Sequence, residues 1–150
     1  MNKTYIDSTI FIEFFFNSSN QETQRDIFLV FQDFHNNKRI PCTSYTVLNE
    51  IRLFVENEYK EYPIDKKAEI YREAIKGICE LPIYFYGLPT ISLQEKISKN
   101  NSFTDTSIFL HIATCINEGV ETVLTYDQAM LALNIKNLSV TNPKGVFNRD

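Results

Sequence analysis

The sequence has few of the residues that build disulfide scaffolds, zinc clusters and phosphate-binding loops. Its three cysteines, Cys42, Cys79 and Cys115, lie far apart in the chain and form no Cys-x-x-Cys pair. Neither a disulfide framework nor a zinc cluster is therefore expected, and we predict that the thiols are reduced and mostly buried. The sequence contains only four glycines, and none of them belongs to a glycine-rich phosphate loop.

The sequence also lacks a long hydrophobic run and an excess of basic charge. The apolar N-terminal stretch is interrupted by Asp7 and Glu13, which excludes a signal peptide or a membrane span there, and we expect a cytoplasmic protein with no membrane partner. The formal net charge is −4, so binding to a nucleic acid would require a local basic patch or bound cations. The dispersed basic residues are most simply a solvated surface, although Arg52 and Arg72 could reach a phosphate.

Strand and helix patterns alternate along the chain. Hydrophobic residues make up 43% of the 150 residues, which is enough for the core of a single domain spanning residues 1–150. Strands are predicted at 4–6, 40–43, 83–85, 120–124 and 138–140, and helices at 9–16, 22–34, 45–56, 64–80, 105–117 and 128–133. This alternation predicts a three-layer α/β/α domain with a mainly parallel central sheet.

Two aspartates follow predicted strands. Asp7 comes after the first strand, and Asp127 comes after the strand that ends at Leu124. Because the carboxyl ends of parallel strands share one edge, where open α/β sheets bind ligands, we expect the two side chains to lie near each other. Each could instead cap the helix that follows it, which is a common role for aspartate, and Ser44 can likewise cap the third predicted helix.

Two further acids fall on helices with apolar faces. Asp105 projects near the middle of one apolar stripe, and Glu50 lies at the margin of another. These stripes are formed by Ile108, Phe109, Ile112, Ala113 and Ile116, and by Val47, Leu48, Ile51 and Phe54. A right-handed crossover brings helix starts to the same sheet edge as the strand ends. Asp105 could instead be an ordinary acid at a helix N-terminus, and helix margins often carry glutamate.

Four carboxylates at one edge of the sheet predict a cation site. At about 4 Å and an effective dielectric near 20, two carboxylates repel each other by about 4 kcal/mol. A cluster of them must therefore take up protons or hold cations. Hard oxygen ligands suit Mg²⁺ or Mn²⁺, and such ions promote the hydrolysis of phosphodiesters.

The residues that carry this pattern resemble those of PIN-domain ribonucleases of the VapC toxin type. The order and approximate spacing of the matching segments agree with the family along nearly the whole chain. The segments are Tyr5-Ile6-Asp7-Ser8-Thr9, Ser44-Tyr45-Thr46-Val47-Leu48-Asn49-Glu50, Asp105-Thr106-Ser107-Ile108 with Ile112-Ala113, and Leu124-Thr125-Tyr126-Asp127. The resemblance implies a PIN-like fold and a metal-dependent endoribonuclease, with Mg²⁺ as the cofactor and Mn²⁺ as a substitute.

The resemblance also implies roles for single residues and for partners. The implied metal ligands and catalytic residues are Asp7, Glu50, Asp105 and Asp127. Glu50 would either coordinate the metal or orient a water molecule. Hydroxyl groups that contact substrate or support the ligands fall on Ser8 or Thr9 and on Thr125. The implied partners are an RNA substrate, a second copy of the chain in a homodimer and, for toxin-type members, a cognate antitoxin.

One position departs from the family pattern. Many members have another acid two residues after the last one, and here that position is Ala129. A second metal would then be weakly held or arrive only with substrate. Residues 59–102 align with no family segment. Two alternatives stay open: an RNA-processing or structure-specific PIN nuclease without an antitoxin, and a catalytically silent PIN-like binding module.

The two histidines are not expected to take part in the site. His111 projects roughly 120° from the centre of the stripe that carries Asp105, and His35 precedes a turn, so we predict structural roles for both. The phenylalanines of the first two helices exceed what two short helices need inside. Core packing is the default interpretation, and a partner-binding face is the alternative.

Overall fold

The central sheet contains five strands and is parallel throughout. The computed structural model describes residues 1–100 and 105–147. Within these ranges the strands are β1 (Lys3–Ile6), β2 (Ile40–Ser44), β3 (Tyr84–Tyr86), β4 (Thr122–Leu124) and β5 (Ser139–Thr141). They pair in the order β3-β2-β1-β4-β5. The helices that flank the sheet are α1 (Ser8–Phe16), α2 (Gln21–His35), α3 (Tyr45–Glu58), α4 (Ile64–Cys79), α5 (Ile91–Asn100), α6 (Thr106–Glu118), α7 (Gln128–Leu131) and α8 (Pro143–Phe147).

The predicted α/β architecture with a mainly parallel sheet is confirmed. Each predicted strand or helix differs from the observed one by at most two residues at either end. The helices α5 and α8 were not predicted. Among residues 91–99 of α5 only Ile97 is buried, while Ile91 is 77% exposed, so this helix contributes little to the core. Helix α8 has only five residues.

Strand β1 lies at the centre of the sheet, between β2 and β4. Tyr5 and Ile6 point to opposite faces of the sheet and are both 0% exposed, as expected for a parallel strand that helices cover on both faces. The chain runs from β1 through β2 to β3 and then returns to the other side of β1 with β4. This reversal opens a crevice at the carboxyl ends of β1 and β4, where sheets of this type bind ligands.

The phenylalanines of α1 and α2 lie mostly in the core. Phe11, Phe31 and Phe34 are buried, whereas Phe28 is 52% exposed. Helix α4 approaches this cluster closely at Gly77, where an added Cβ would lie 2.5 Å from the Phe15 ring. Core packing is therefore the correct interpretation for most of the set, with Phe28 as the exception.

The cysteines are mostly buried, as the sequence predicts. Cys42 and Cys115 are buried and Cys79 is exposed, and all three are free thiols in the part of the chain that the structure describes. Within residues 1–100 and 105–147, none of the helices has the length and apolar character needed to cross a membrane.

Candidate functional site

The four predicted acids line a single cleft at the carboxyl ends of β1 and β4. The cleft has a volume of about 250 Å³. The acids are Asp7, Glu50, Asp105 and Asp127, and the other lining residues are Ser8, Thr9, Ser107, Ile108, His111 and Met130. Side chains from the beginning, middle and end of the sequence thus meet at the crevice that the strand order creates.

Asp7 is held by two hydroxyl groups and is only 2% exposed. It occupies the N-cap position of α1, but its side chain makes no capping hydrogen bond within the described residues. Instead, its Oδ2 accepts hydrogen bonds from Thr125 Oγ1 at 2.7 Å and from Thr9 Oγ1 at 2.8 Å. The capping alternative is therefore wrong for Asp7, because both donors are threonine hydroxyls and neither is an amide of α1.

The threonines that hold Asp7 also join the ends of two strands. Thr125 Oγ1 accepts the Asp127 amide at 2.9 Å, and Thr9 Oγ1 accepts the Tyr126 amide at 2.9 Å. The Asp7 amide in turn donates to the Leu124 carbonyl at 3.0 Å. These bonds fix the segments after β1 and β4 against each other, so the position of Asp7 depends on both.

Asp105 and Asp127 cap helices and line the rim of the cleft. Asp127 Oδ1 accepts the amides of Ala129 and Met130 at 2.8 and 3.3 Å. Asp105 Oδ1 accepts the Ile108 amide at 3.0 Å, and the residue is exposed. Capping is thus the correct local description of both aspartates, and it leaves them at the mouth of the cleft rather than at its buried centre.

Glu50 reaches the cleft from α3 and faces two partners from α6. Its Oε2 accepts a hydrogen bond from Ser107 Oγ at 2.5 Å, and its Oε1 lies 2.7 Å from His111 Nε2. Burial alone would raise the pKa of Glu50. The contact with His111, the charge of that ring and the hydroxyls of Ser107 and Ser8 together lower the pKa below its ordinary value.

His111 lies in the cleft, and the prediction that it stands apart from the acids is wrong. Its side chain is 2% exposed, and its Nε2 is 3.6 Å from Asp7 Oδ1 as well as 2.7 Å from Glu50 Oε1. Burial alone would lower the pKa of His111, but the contact with Glu50 and the charges of Asp7 and Glu50 outweigh burial and raise it.

The buried face of α6 differs from the predicted apolar stripe. Ile116, a member of the predicted stripe, is 40% exposed, whereas Cys115 is buried. The buried face therefore follows Ile108, His111, Ile112 and Cys115. This set has the i, i+3, i+4, i+7 spacing of a core-facing helix stripe, so the signal was present in the sequence.

The other ring nitrogen of His111 is occupied by a buried hydroxyl chain. His111 Nδ1 lies 2.8 Å from the Tyr5 hydroxyl, which lies 2.6 Å from Ser44 Oγ. Ser44 stands at the N-cap position of α3 but makes no side-chain capping bond in the residues that are described. The predicted cap is therefore wrong, because Tyr5 in the neighbouring strand takes the Ser44 hydroxyl.

The centre of the cleft has the donor atoms and the spacing of a metal site. Ligand atoms of Asp7, Glu50 and His111 all lie within 4.8 Å of one another. Although Glu50 Oε1 and His111 Nε2 lie 2.7 Å apart, neither of these buried atoms has an aligned hydrogen-bond partner among the described residues. Buried polar atoms without such partners are unfavourable. An ion that accepts lone pairs from both would remove that penalty, so these residues fit a divalent cation.

Basic side chains are separate from the cleft. Arg52 hydrogen-bonds the Asn49 side chain and lies 3.7 Å from Glu56 Oε1, and Arg72 is exposed on α4. No lysine or arginine of residues 1–100 or 105–147 lines the cleft. A phosphate group that entered it would therefore meet carboxylates unless a cation were bound there.

A parallel sheet flanked by helices, with four acids at its carboxyl edge, makes this chain an α/β protein with a candidate acidic metal centre. No protein-family model matches the chain, and no curated protein matches its sequence. Among solved structures, the fold is similar to that of a chain in the VapBC2 complex from Rickettsia felis bound to a DNA fragment from its promoter. The TM-score is 0.60 and the identity 13%, and the match covers 93% of this chain and 98% of that chain. The chain therefore has a PIN-like fold, in agreement with the resemblance noted in the sequence.

Proposed function

We propose that this protein is a metal-dependent endoribonuclease that hydrolyses RNA phosphodiester bonds in the acidic cleft. The observation that carries this proposal is the convergence of Asp7, Glu50 and His111 within 4.8 Å at a buried point, with Asp105 and Asp127 at the rim. The PIN-like fold supports the nuclease class. The choice of RNA rests on the family resemblance.

In this proposal Asp7, Glu50, Asp105 and Asp127 hold Mg²⁺, or Mn²⁺ as its substitute. When bound, the ion supplies Lewis-acid stabilisation of charge on the phosphodiester oxygens. Asp7 is the best anchored ligand, because its Oδ2 already accepts two hydroxyl hydrogen bonds and its Oδ1 faces the cleft centre.

The remaining side chains of the cleft position these acids and admit the substrate. Ser107 fixes one oxygen of Glu50, which leaves the other to bind the ion or orient a water molecule. Thr9 and Thr125 keep Asp7 in place, and Ser8 lines the same wall. Because the described lining contains no basic residue, the bound cation provides the positive charge that an RNA phosphate requires.

We further propose that the nuclease is the toxin of a toxin–antitoxin pair, working as a cytoplasmic homodimer that a cognate antitoxin restrains. The similarity to a chain of a VapBC complex supports an antitoxin partner. Controlled expression in cells tests this point. A toxin should arrest growth, and co-expression of its cognate antitoxin, sought among any small proteins encoded beside it, should restore growth. Unimpaired growth would favour an RNA-processing nuclease without an antitoxin.

The nuclease proposal is tested by incubating total RNA with the protein and Mn²⁺ and mapping the new ends. Asp7→Asn keeps the shape of the side chain but removes its charge, so it should abolish cleavage. Asp65→Asn is the matched control, because Asp65 is exposed in the first turn of α4, away from the cleft. Equal cleavage by wild type and Asp7→Asn would overturn the assignment.

A catalytically silent PIN-like module is the second candidate. Two observations favour it: His111 is in contact with Glu50 at the centre of the cleft, and Ala129 replaces an acid that the family often has. Metal binding without any RNA cleavage, under conditions in which the fold is intact, would select this alternative.

A further inference from the structure

Among the described residues that line the cleft, only His111 has a side-chain nitrogen that could bind a metal ion. It lies at the buried centre of the cleft rather than at the rim. We propose that His111 Nε2 is a direct ligand of the bound ion, so that the site is a nitrogen–oxygen site formed by His111, Asp7 and Glu50. Such a site should select Mn²⁺ and similar transition-metal ions over Mg²⁺. This inference rests on the proposed function, because it specifies which ion the same cleft prefers.

The distances around Nε2 match those between neighbouring ligands of one ion. Metal–ligand bonds of about 2.1 Å at right angles separate adjacent ligand atoms by about 3 Å. The separations of His111 Nε2 from Glu50 Oε1 and Asp7 Oδ1, 2.7 and 3.6 Å, lie on either side of that value. The three side chains can therefore meet at one ion with small adjustments of their torsion angles.

The lack of an aligned hydrogen bond between His111 Nε2 and Glu50 Oε1 favours a metal ligand over a simple counter-ion as the role of His111. An imidazolium that only neutralised Glu50 would direct an N–H at its oxygen. In the described structure Glu50 Oε1 and His111 Nε2 are both buried and neither has such a partner. Two buried ligand atoms that lie 2.7 Å apart without an aligned hydrogen bond can both bind a third centre.

Tyr5 and Ser44 support a metal-binding tautomer of His111. Histidine ligands usually donate their second ring N–H to a neighbouring acceptor, which fixes the ring and exposes the lone pair of the other nitrogen. Here Nδ1 can donate to the Tyr5 hydroxyl at 2.8 Å, and that hydroxyl can donate to Ser44 Oγ at 2.6 Å. This chain also explains why Ser44 does not cap α3.

The donor set determines the preferred ion. Mg²⁺ favours carboxylate and water oxygens, whereas imidazole favours transition-metal ions. We expect the wild-type protein to bind Mn²⁺ at least tenfold more tightly than Mg²⁺. The variant His111→Gln should weaken Mn²⁺ binding at least tenfold and change Mg²⁺ binding less than threefold.

Pulsed electron paramagnetic resonance of the Mn²⁺-loaded full chain tests the ligand directly, without reference to activity. A directly bound imidazole nitrogen should modulate the Mn²⁺ echo in the wild type and in His35→Gln but not in His111→Gln. The chain has only two histidines, so His35→Gln is the matched control. If His111→Gln does not fold, ¹⁵N-histidine labelling of His35→Gln replaces it, and the modulation should change to the ¹⁵N pattern.

The outcomes distinguish this inference from the function on which it rests. Mn²⁺ bound without histidine nitrogen coupling would overturn the role of His111 and leave an all-oxygen metal site standing. Failure of the wild type to bind either ion would overturn both this inference and the proposed metal-dependent nuclease. Nitrogen coupling that persists in folded His111→Gln would also reject His111 as the ligand.

Discussion

The buried hydroxyl of Thr125 should contribute strongly to both stability and metal binding. Its Oγ1 donates to Asp7 Oδ2 at 2.7 Å and accepts the Asp127 amide at 2.9 Å, and the residue is 0% exposed. Thr125→Val removes both bonds and leaves the shape nearly unchanged. A hydrogen bond to a charged group contributes about 1.5–3 kcal/mol to the free energy of unfolding, and a neutral one contributes about 1 kcal/mol. The free energy of unfolding of Thr125→Val should therefore be lower than that of the wild type by about 3 kcal/mol.

The same change is expected to lower Tm and to weaken the metal site. For a chain of this length 1 kcal/mol corresponds to about 2–4 °C, which gives a decrease of about 6–12 °C. Residues that hold a metal ligand in place commonly affect affinity by about 10–100-fold, so the Mn²⁺ dissociation constant of Thr125→Val should rise by at least about tenfold. Urea denaturation of the metal-free protein and a calorimetric Mn²⁺ titration measure the two effects.

Thr114→Val provides the control for the loss of a buried threonine hydroxyl. Thr114 is 1% exposed, but its Oγ1 donates only to the Leu110 carbonyl of its own helix, at 2.9 Å. Both variants gain the same apolar burial, because each replaces a threonine hydroxyl by a methyl group. The free energy of unfolding of Thr114→Val should therefore fall by less than about 1 kcal/mol. Equal losses in the two variants, or an unchanged Mn²⁺ affinity in Thr125→Val, would refute the idea that Thr125 anchors Asp7.

Three further predictions, one of them with a matched control, concern other positions. Asp105→Asn retains the helix cap but removes a rim charge, so RNA cleavage should be abolished while the metal-free protein becomes slightly more stable; normal cleavage would show that Asp105 is not required. Gly77→Ala should destabilise the protein by about 1–3 kcal/mol in urea titrations, because its Cβ would collide with Phe15. Gly87→Ala, with no atom within 4 Å of the added Cβ, should not. Folding lowers the pKa of Glu50 below its ordinary value of 4.5. The ionised side chain therefore contributes fully to stability at a pH above 4.5, and this contribution is lost as the pH falls through the lowered pKa. Between about pH 5 and pH 3, metal-free Glu50→Gln should therefore lose less stability than the wild type, as measured by urea denaturation at each pH.

The sequence predicted the architecture and the grouping of four acids at one edge of the sheet because both depend on regular patterns. Strands and helices alternate clearly enough to imply a parallel sheet, and the carboxyl ends of parallel strands share an edge. The proximity of Asp7 and Asp127 therefore follows from the order of strands and helices along the chain. Helix α5 was missed because it buries little apolar surface.

Choices between local and distant partners were harder to predict. Whether an aspartate caps its helix or enters a cleft depends on donors elsewhere in the chain. Asp7 turns away from the amides of α1 because Thr125, 118 residues later, offers a hydroxyl. Ser44 is drawn to Tyr5 in the same way. His111 was assigned to the wrong side of α6 because a one-dimensional pattern allowed two adjacent stripes, and only packing against β1 and α3 distinguishes them.

The hydrogen bonds between Asp7 and Thr125 have a consequence for the timing of synthesis. A growing chain on the ribosome contains Asp7 and Thr9 from the start, but the bond from Thr125 to Asp7 cannot form until β4 has been made and has paired with β1. Fragments that end before β4 would lack Thr125 and Asp127, so Asp7 would miss one of its two hydroxyl bonds and the cleft would miss one of its four acids. A nuclease built in this way would remain inactive toward the messenger RNA that encodes it until nearly all of the described chain had left the ribosome.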